Sequence, residues 1–214
     1  MMRFGYGGKK EEQIAQLAGK VRAELGPRSV VLVGMPGCGK SAIGRRLAQR
    51  LELPFVDADD EIELAAGKAI TDIFKDHGEP YFRDGERKVI ARILNSGSQV
   101  LATGGGAFMS TETRTTIRKT AISVWLKAEL PLLLRRVLKR NNRPLLERDP
   151  EGVMRSLVET RYPIYATADI TVESRDLPHE AMVYEIIEAL AAHAVPRPSA
   201  PPDADASTNP GKPL

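Results

Sequence analysis

A single cysteine, Cys38, in 214 residues rules out an internal disulfide framework and suits a reducing compartment, so a cytoplasmic location is expected. No run approaches the roughly eighteen apolar residues of a membrane span, and the N-terminus lacks the apolar stretch of a secretory signal. Glu11, Glu12 and Glu24 do not fit an acid-poor transit peptide, and no membrane partner is expected. Aromatic residues make up only 5% of the chain and the net charge is only +3, too little for a nucleic-acid partner with its stacking platform and basic surface. His77, His179 and His193 are scattered without metal-ligand spacing. No internal repeat is present.

With 42% apolar residues the chain can bury one core. Residues 1–28 form an N-terminal extension in which Ile14, Leu17, Ala18, Val21 and Leu25 recur at helical spacing until Gly26-Pro27. Residues 29–194 carry the main domain. Residues 195–214, rich in Pro, Ala, Ser and Asp, are expected to be a disordered tail. Within the domain, apolar strands at 30–33, 54–56, 99–103, 122–126 and 168–172 alternate with helical stretches. The helices fall after the first strand, at 61–66 and 86–94, from about 111, and at 130–138, 153–159 and 178–193. That alternation predicts a parallel sheet covered on both faces, with ligands at the carboxyl ends of its strands.

The first strand leads into Gly34-Met35-Pro36-Gly37-Cys38-Gly39-Lys40-Ser41, the pattern G-x-x-x-x-G-K-[ST]. Glycines let successive N–H groups turn onto phosphate oxygens, and the helix beginning near Lys40 adds its positive end. ATP is expected on the backbone of Gly37, Cys38, Gly39, Lys40, Ser41 and Ala42, with Lys40 reaching the β/γ-phosphates and Ser41 ligating Mg²⁺. Asp57 and Asp59 follow the second strand two residues apart, which on a strand puts both on one side about 7 Å apart. One would position Mg²⁺ and the other would accept a hydrogen bond from an attacking hydroxyl. Asp60, with Glu63 three residues on, reads as a helix cap. Arg83 has Glu86 three residues on to hold its guanidinium, and Gly104-Gly105-Gly106 after the third strand serves either close backbone approach to a ligand or a plain turn.

These motifs, in the order G-x-P-G-x-G-K-S, D-x-D, G-E-x-x-F-R-x-x-E, G-G-G, R-P-L-L and R-x-P-x-Y, together resemble the shikimate kinases over roughly residues 30–190. The resemblance implies a three-layer αβα P-loop kinase fold with a central, mostly five-stranded parallel sheet and a mobile lid at about 139–152. It also implies transfer of the ATP γ-phosphate to the 3-hydroxyl of shikimate, in the route to chorismate and the aromatic amino acids, by a monomer using Mg²⁺. It assigns Asp59, Arg83, Gly105 and Arg161 to shikimate, with Gly104 and Gly106 beside them, and Asp57 to the metal. Two arginines suit the carboxylate of that acceptor, and an aspartate and exposed N–H groups suit its hydroxyls.

By the same resemblance the basic stretch 134–148 is a lid helix and lid, in which Arg143 stabilises charge during transfer and Arg136 flanks adenine. Arg175 falls near the expected adenine loop. Pro163 and Tyr165 are expected to fix the end of the helix carrying Arg161, and Trp125 to be strand core. Cys38 stands where a smaller residue is more usual; it reads either as a core filler or as a thiol whose modification blocks ATP binding. Two rivals remain. A gluconate kinase would resemble D-G-D-x-H after the second strand, whereas this chain has Asp57-Ala58-Asp59-Asp60; a non-catalytic nucleotide-sensing module would lose catalytic positions that are all present.

Overall fold

The computed structural model describes residues 6–139 and 149–193, with side chains from residue 10 onward. Five strands, β1 (Ser29–Val33), β2 (Phe55–Asp57), β3 (Val100–Ala102), β4 (Ala121–Lys127) and β5 (Ile170–Glu173), form one sheet in the order β2-β3-β1-β4-β5. Every pairing is parallel, and β1 lies at the centre with Val30 opposite both Val100 and Ile122. All residues of β1 and β3 are buried, as a strand with helices on both faces requires. Their side chains are unbroken apolar or small runs, each large one stabilising the fold by about 1.5–3 kcal/mol relative to exposure.

Helix α1 (Tyr6–Leu25) packs on α2 (Lys40–Leu51) and α8 (His179–His193). Ile14, Ala18, Val21 and Leu25 are all but fully buried, one stripe every three or four residues, and Gly26 ends the helix in the left-handed region. Arg50 of α2 joins the three helices. It donates through Nη1 and Nη2 to Glu11 (both 3.1 Å), through Nε to Glu180 (2.8 Å) and through Nη2 to the Tyr184 hydroxyl (3.2 Å).

The region between β2 and β3 departs from the sequence reading. Helix α3 (Ala58–Ala66) starts three residues earlier than expected, and α4 (Ile70–Leu94) is far longer than 86–94. Its first part packs only a small second cluster, Ile62, Ile73 and Phe82, so its apolar periodicity is weak. The helix is interrupted at Gly78 (φ 79°, ψ 174°), and Pro80 follows where a new helical turn begins. A 3-10 turn at Ala107–Met109 and α5 (Thr111–Thr120) lead to β4, then α6 (Leu130–Leu138) and α7 (Pro150–Tyr165) to β5. Helix α7 exceeds the expected 153–159 at both ends; Asp149 caps it, accepting from Gly152 N at 2.9 Å. Residues 150–152, read as lid, are therefore its first turn. Residues 140–148 of the lid, including Arg143, and the tail lie outside the described residues.

Candidate active site

The phosphate loop grows out of the sheet. β1 ends at Val33, and the chain turns through the loop so that Lys40 is the first residue of α2, capped by Gly39 at φ 103°, a conformation that L side chains rarely adopt. Lys40 Nζ donates to the carbonyls of Gly34 (2.8 Å) and Met35 (3.0 Å). Ser41 Oγ donates to Asp57 Oδ2 at 2.6 Å. That pair supplies hard oxygen donors at the start of α2, which suits an ion taking most of its ligands from phosphate and water. Among the described residues no group of three His, Cys, Asp or Glu is placed to hold a metal alone.

Asp57 and Asp59 meet the site differently from the strand argument. Asp57 ends β2 and turns its carboxylate back to cap α3, with Oδ1 accepting from Asp59 N at 3.2 Å. Asp59 already belongs to the first turn of α3. Strand alternation therefore does not govern their separation, because a carboxylate just before a helix satisfies one of its free N–H groups. Asp60 is not the cap. It is exposed and stands 3.8 Å from Arg45.

Beside the glycine loop 104–106, Arg83 donates through Nη1 to Glu86 Oε2 (2.6 Å) and through Nε and Nη2 to Glu79 (3.2 and 3.1 Å). Burial works against the Arg83 charge, but the facing Glu86 and Glu79 carboxylates more than offset it and raise its pKa. Glu86 is 2% exposed; burial pushes its carboxyl above the usual range against the pull of Arg83. Its Oε1 has no hydrogen-bond partner among the described residues and lies toward the glycine loop. A Cβ built on Gly104 would stand 2.8 Å from that oxygen and 2.9 Å from Asp59 Oδ1. Arg161, from α7, donates to Gly105 O at 3.1 Å, and the Tyr165 hydroxyl donates to the same carbonyl. Tyr165 thus fixes the glycine loop, a role beyond ending its helix. A run of three glycines after a strand gives no hint of a tyrosine sixty residues downstream.

The two halves touch. A Cβ on Gly105 would lie 2.9 Å from Pro36 Cδ, so the glycine loop rests on the phosphate loop itself. Arg136, from α6, lies on the other flank, donating to Ser174 Oγ (3.2 Å) and to the Arg175 carbonyl (3.0 Å). Of the residue pair anticipated there, Arg175 turns its own side chain away to Glu185. Ser174, which the sequence did not single out, donates to Cys38 O at 2.9 Å. The Cys38 thiol is fully buried in the core, as a filler would be, and Trp125 is strand core at 5% exposure.

A parallel β2-β3-β1-β4-β5 sheet, with a phosphate loop between its central strand and α2 and a carboxylate-and-arginine cradle beside that loop, defines a P-loop kinase of small molecules. The family model "Shikimate kinase" matches residues 36–191. The chain belongs to the shikimate kinase family. A shikimate kinase of Bradyrhizobium diazoefficiens is 56% identical over 189 residues, 88% of this chain and 91% of that one. Among solved structures, a shikimate kinase from Acinetobacter baumannii in complex with shikimate matches with a TM-score of 0.77 and 33% identity, over 82% of this chain and 99% of that one. A gluconokinase from Sinorhizobium meliloti, at 21% identity and a TM-score of 0.53 over 78% of this chain and 94% of that one, shares the fold alone.

Proposed function

We propose that the protein transfers the γ-phosphate of ATP to the 3-hydroxyl of shikimate, giving shikimate 3-phosphate and ADP, as a cytoplasmic monomer using Mg²⁺. The observation that carries the reading is the contact of Gly105 with Pro36, which sets an acceptor cradle directly against the phosphate loop. Binding both substrates across that contact brings donor phosphorus and acceptor oxygen together, and positioning supplies most of the catalysis in a loose phosphoryl transfer.

Lys40 leaves the carbonyls of Gly34 and Met35 for the β/γ-phosphates, a stronger charge-assisted pairing. Backbone N–H groups from Gly37 to Ala42 hold the remaining phosphate oxygens at the start of α2. Ser41 and Asp57 would hold the magnesium ion, which when bound neutralises charge on the phosphates. Arg83 and Arg161 clamp the shikimate carboxylate, while Gly104, Gly105 and Gly106 let the ring approach the backbone. Asp59 accepts the hydrogen bond of the attacking hydroxyl. As the new oxygen–phosphorus bond forms, the bond to the β-phosphate oxygen breaks, ADP leaves, and the hydroxyl proton passes to the Asp59 carboxylate. Arg143 completes the charge stabilisation from the lid.

The test is a coupled ADP-release assay with shikimate, gluconate, nucleoside monophosphates or no acceptor. Release is expected with shikimate; release with gluconate alone would sink the reading. Asp59→Asn is expected to lower kcat by more than about a hundredfold with ATP affinity nearly intact, within the range for removing a group that handles the proton. Normal turnover would exclude Asp59 as the hydroxyl's partner.

A further inference from the structure

We infer that Ser174 is a positioning residue of the phosphate loop: by holding the Cys38 carbonyl outward it aims the Gly39 N–H into the phosphate cradle. Ser174 is the first residue after β5, 4% exposed, and its backbone N–H is anchored to the Lys127 carbonyl at the end of β4. Its hydroxyl has two neighbours of opposite kind. Cys38 O, 2.9 Å away, can only accept, and Arg136 Nη1, 3.2 Å away, can only donate. The hydroxyl proton therefore points to Cys38, and the guanidinium occupies a lone pair. The direction of the bond is fixed by chemistry rather than by a choice of rotor.

The Cys38 carbonyl and the Gly39 N–H belong to one peptide group, which is planar and trans, so the two point in opposite directions. A carbonyl tied to Ser174 leaves the N–H facing the other side of the loop. Gly39, at φ 103° and ψ 12°, is the cap of α2, whose free N–H groups meet phosphate. Glycine at that position leaves the peptide with little steric resistance to turning over, so an external anchor is needed to choose one orientation. The same hydroxyl holds Arg136, whose Nη2 donates to the Arg175 carbonyl at 3.0 Å. Through Ser174 the loop between β5 and α8 and the helix α6 therefore grip the phosphate loop from the side away from shikimate.

The inference rests on the nucleotide half of the function proposed above and is tested apart from the acceptor. Affinities of the intact protein, with magnesium, for ATP and for inorganic tripolyphosphate are measured by calorimetry for wild type, Ser174→Ala and Ser174→Thr. Loss of one neutral hydrogen bond should weaken both ligands about three- to tenfold in Ser174→Ala. Ser174→Thr, which keeps the hydroxyl, should restore both, with the KM for shikimate within about twofold of wild type throughout. Tripolyphosphate binding unchanged in Ser174→Ala, or equal weakening in Ser174→Thr, would overturn the inference and leave the proposed reaction standing. A wild type that binds neither ligand would overturn both. If Ser174→Ala failed to fold, Ser174→Cys, whose thiol is a weak donor, makes the same comparison.

Discussion

Gly105→Ala adds one methyl group between the glycine loop and the phosphate loop, the wall between the two proposed substrate sites. Gly105 is not in the left-handed region, so its backbone accepts alanine without strain and the new contacts alone decide the outcome. The added carbon would lie 2.9 Å from Pro36 Cδ, 3.2 Å from Pro36 Cγ and 3.3 Å from Arg161 Nη1. An arginine can swing away, but the proline ring is part of the phosphate loop and can move only with it. Reaching an ordinary carbon–carbon distance of about 3.5 Å therefore forces the glycine loop and the phosphate loop roughly half an ångström apart. Overpacking of this kind costs about 1–3 kcal/mol, which corresponds to roughly 5- to 150-fold in kcat/KM. The melting temperature should fall by about 2–12 °C for a domain of this size. The coupled ADP-release assay, titrating each substrate at saturation of the other, should show KM raised for ATP and shikimate together. Gly85→Ala, inside α4 with nothing within 4 Å of the added carbon, is the control; it should melt about 2–4 °C higher from helix propensity, with kinetics unchanged. A Gly105→Ala enzyme with both KM values within twofold of wild type would refute the idea that the two sites share this wall.

Arg161→Lys keeps the charge but loses the planar fork, and should raise the KM for shikimate about tenfold or more while leaving that for ATP unchanged. Equal effects on the two substrates in steady-state titrations would contradict the assignment. Glu86, with its folded pKa raised above 4.5 by burial, holds more protons in the native state than in the unfolded one. Its contribution to stability is therefore complete below 4.5 and is lost as pH rises through the folded value. The stability of wild type relative to Glu86→Gln, from denaturant melts, should accordingly decline with rising pH above 4.5, and a rising difference would reverse the sign of the argument. The fully buried Cys38 thiol should react with a water-soluble thiol reagent only at the rate of local opening. Rapid stoichiometric labelling of the native protein would show the loop to be more open than its packing.

Strands β1, β3 and nearly all of β4 were legible because each is a short apolar run buried on both faces, and burial of that kind leaves little choice of residue. The phosphate loop was legible because its chemistry lies in eight consecutive positions. Arg83 and Glu86 were legible too, since three residues on a helix put side chains together. The pair Asp57 and Asp59 was wrongly placed on one strand: the sequence does not announce that the strand stops between them and that the first aspartate caps the next helix. The first half of α4 escaped because it covers a cluster too small to impose a period. Ser174 could not be found at all, and Tyr165 could be found only as the end of its helix, not as a tether of the glycine loop. Their partners lie 136 and 60 residues away, and a hydroxyl that bonds a distant backbone carbonyl leaves no spacing to read.

Trp125 is the only tryptophan of the chain. Its indole meets Tyr162 edge-on, with ring centroids 5.0 Å apart, and its Cδ1 would lie 3.4 Å from a Cβ on Gly34. Helix α7, which supplies Tyr162, also carries Arg161, and Gly34 opens the phosphate loop. One fluorophore therefore borders both the phosphate loop and the helix that carries Arg161, so the protein is already labelled for spectroscopy. Its emission is the natural signal with which to look for the arrival of each proposed substrate in a stopped-flow instrument, without a dye or an introduced residue.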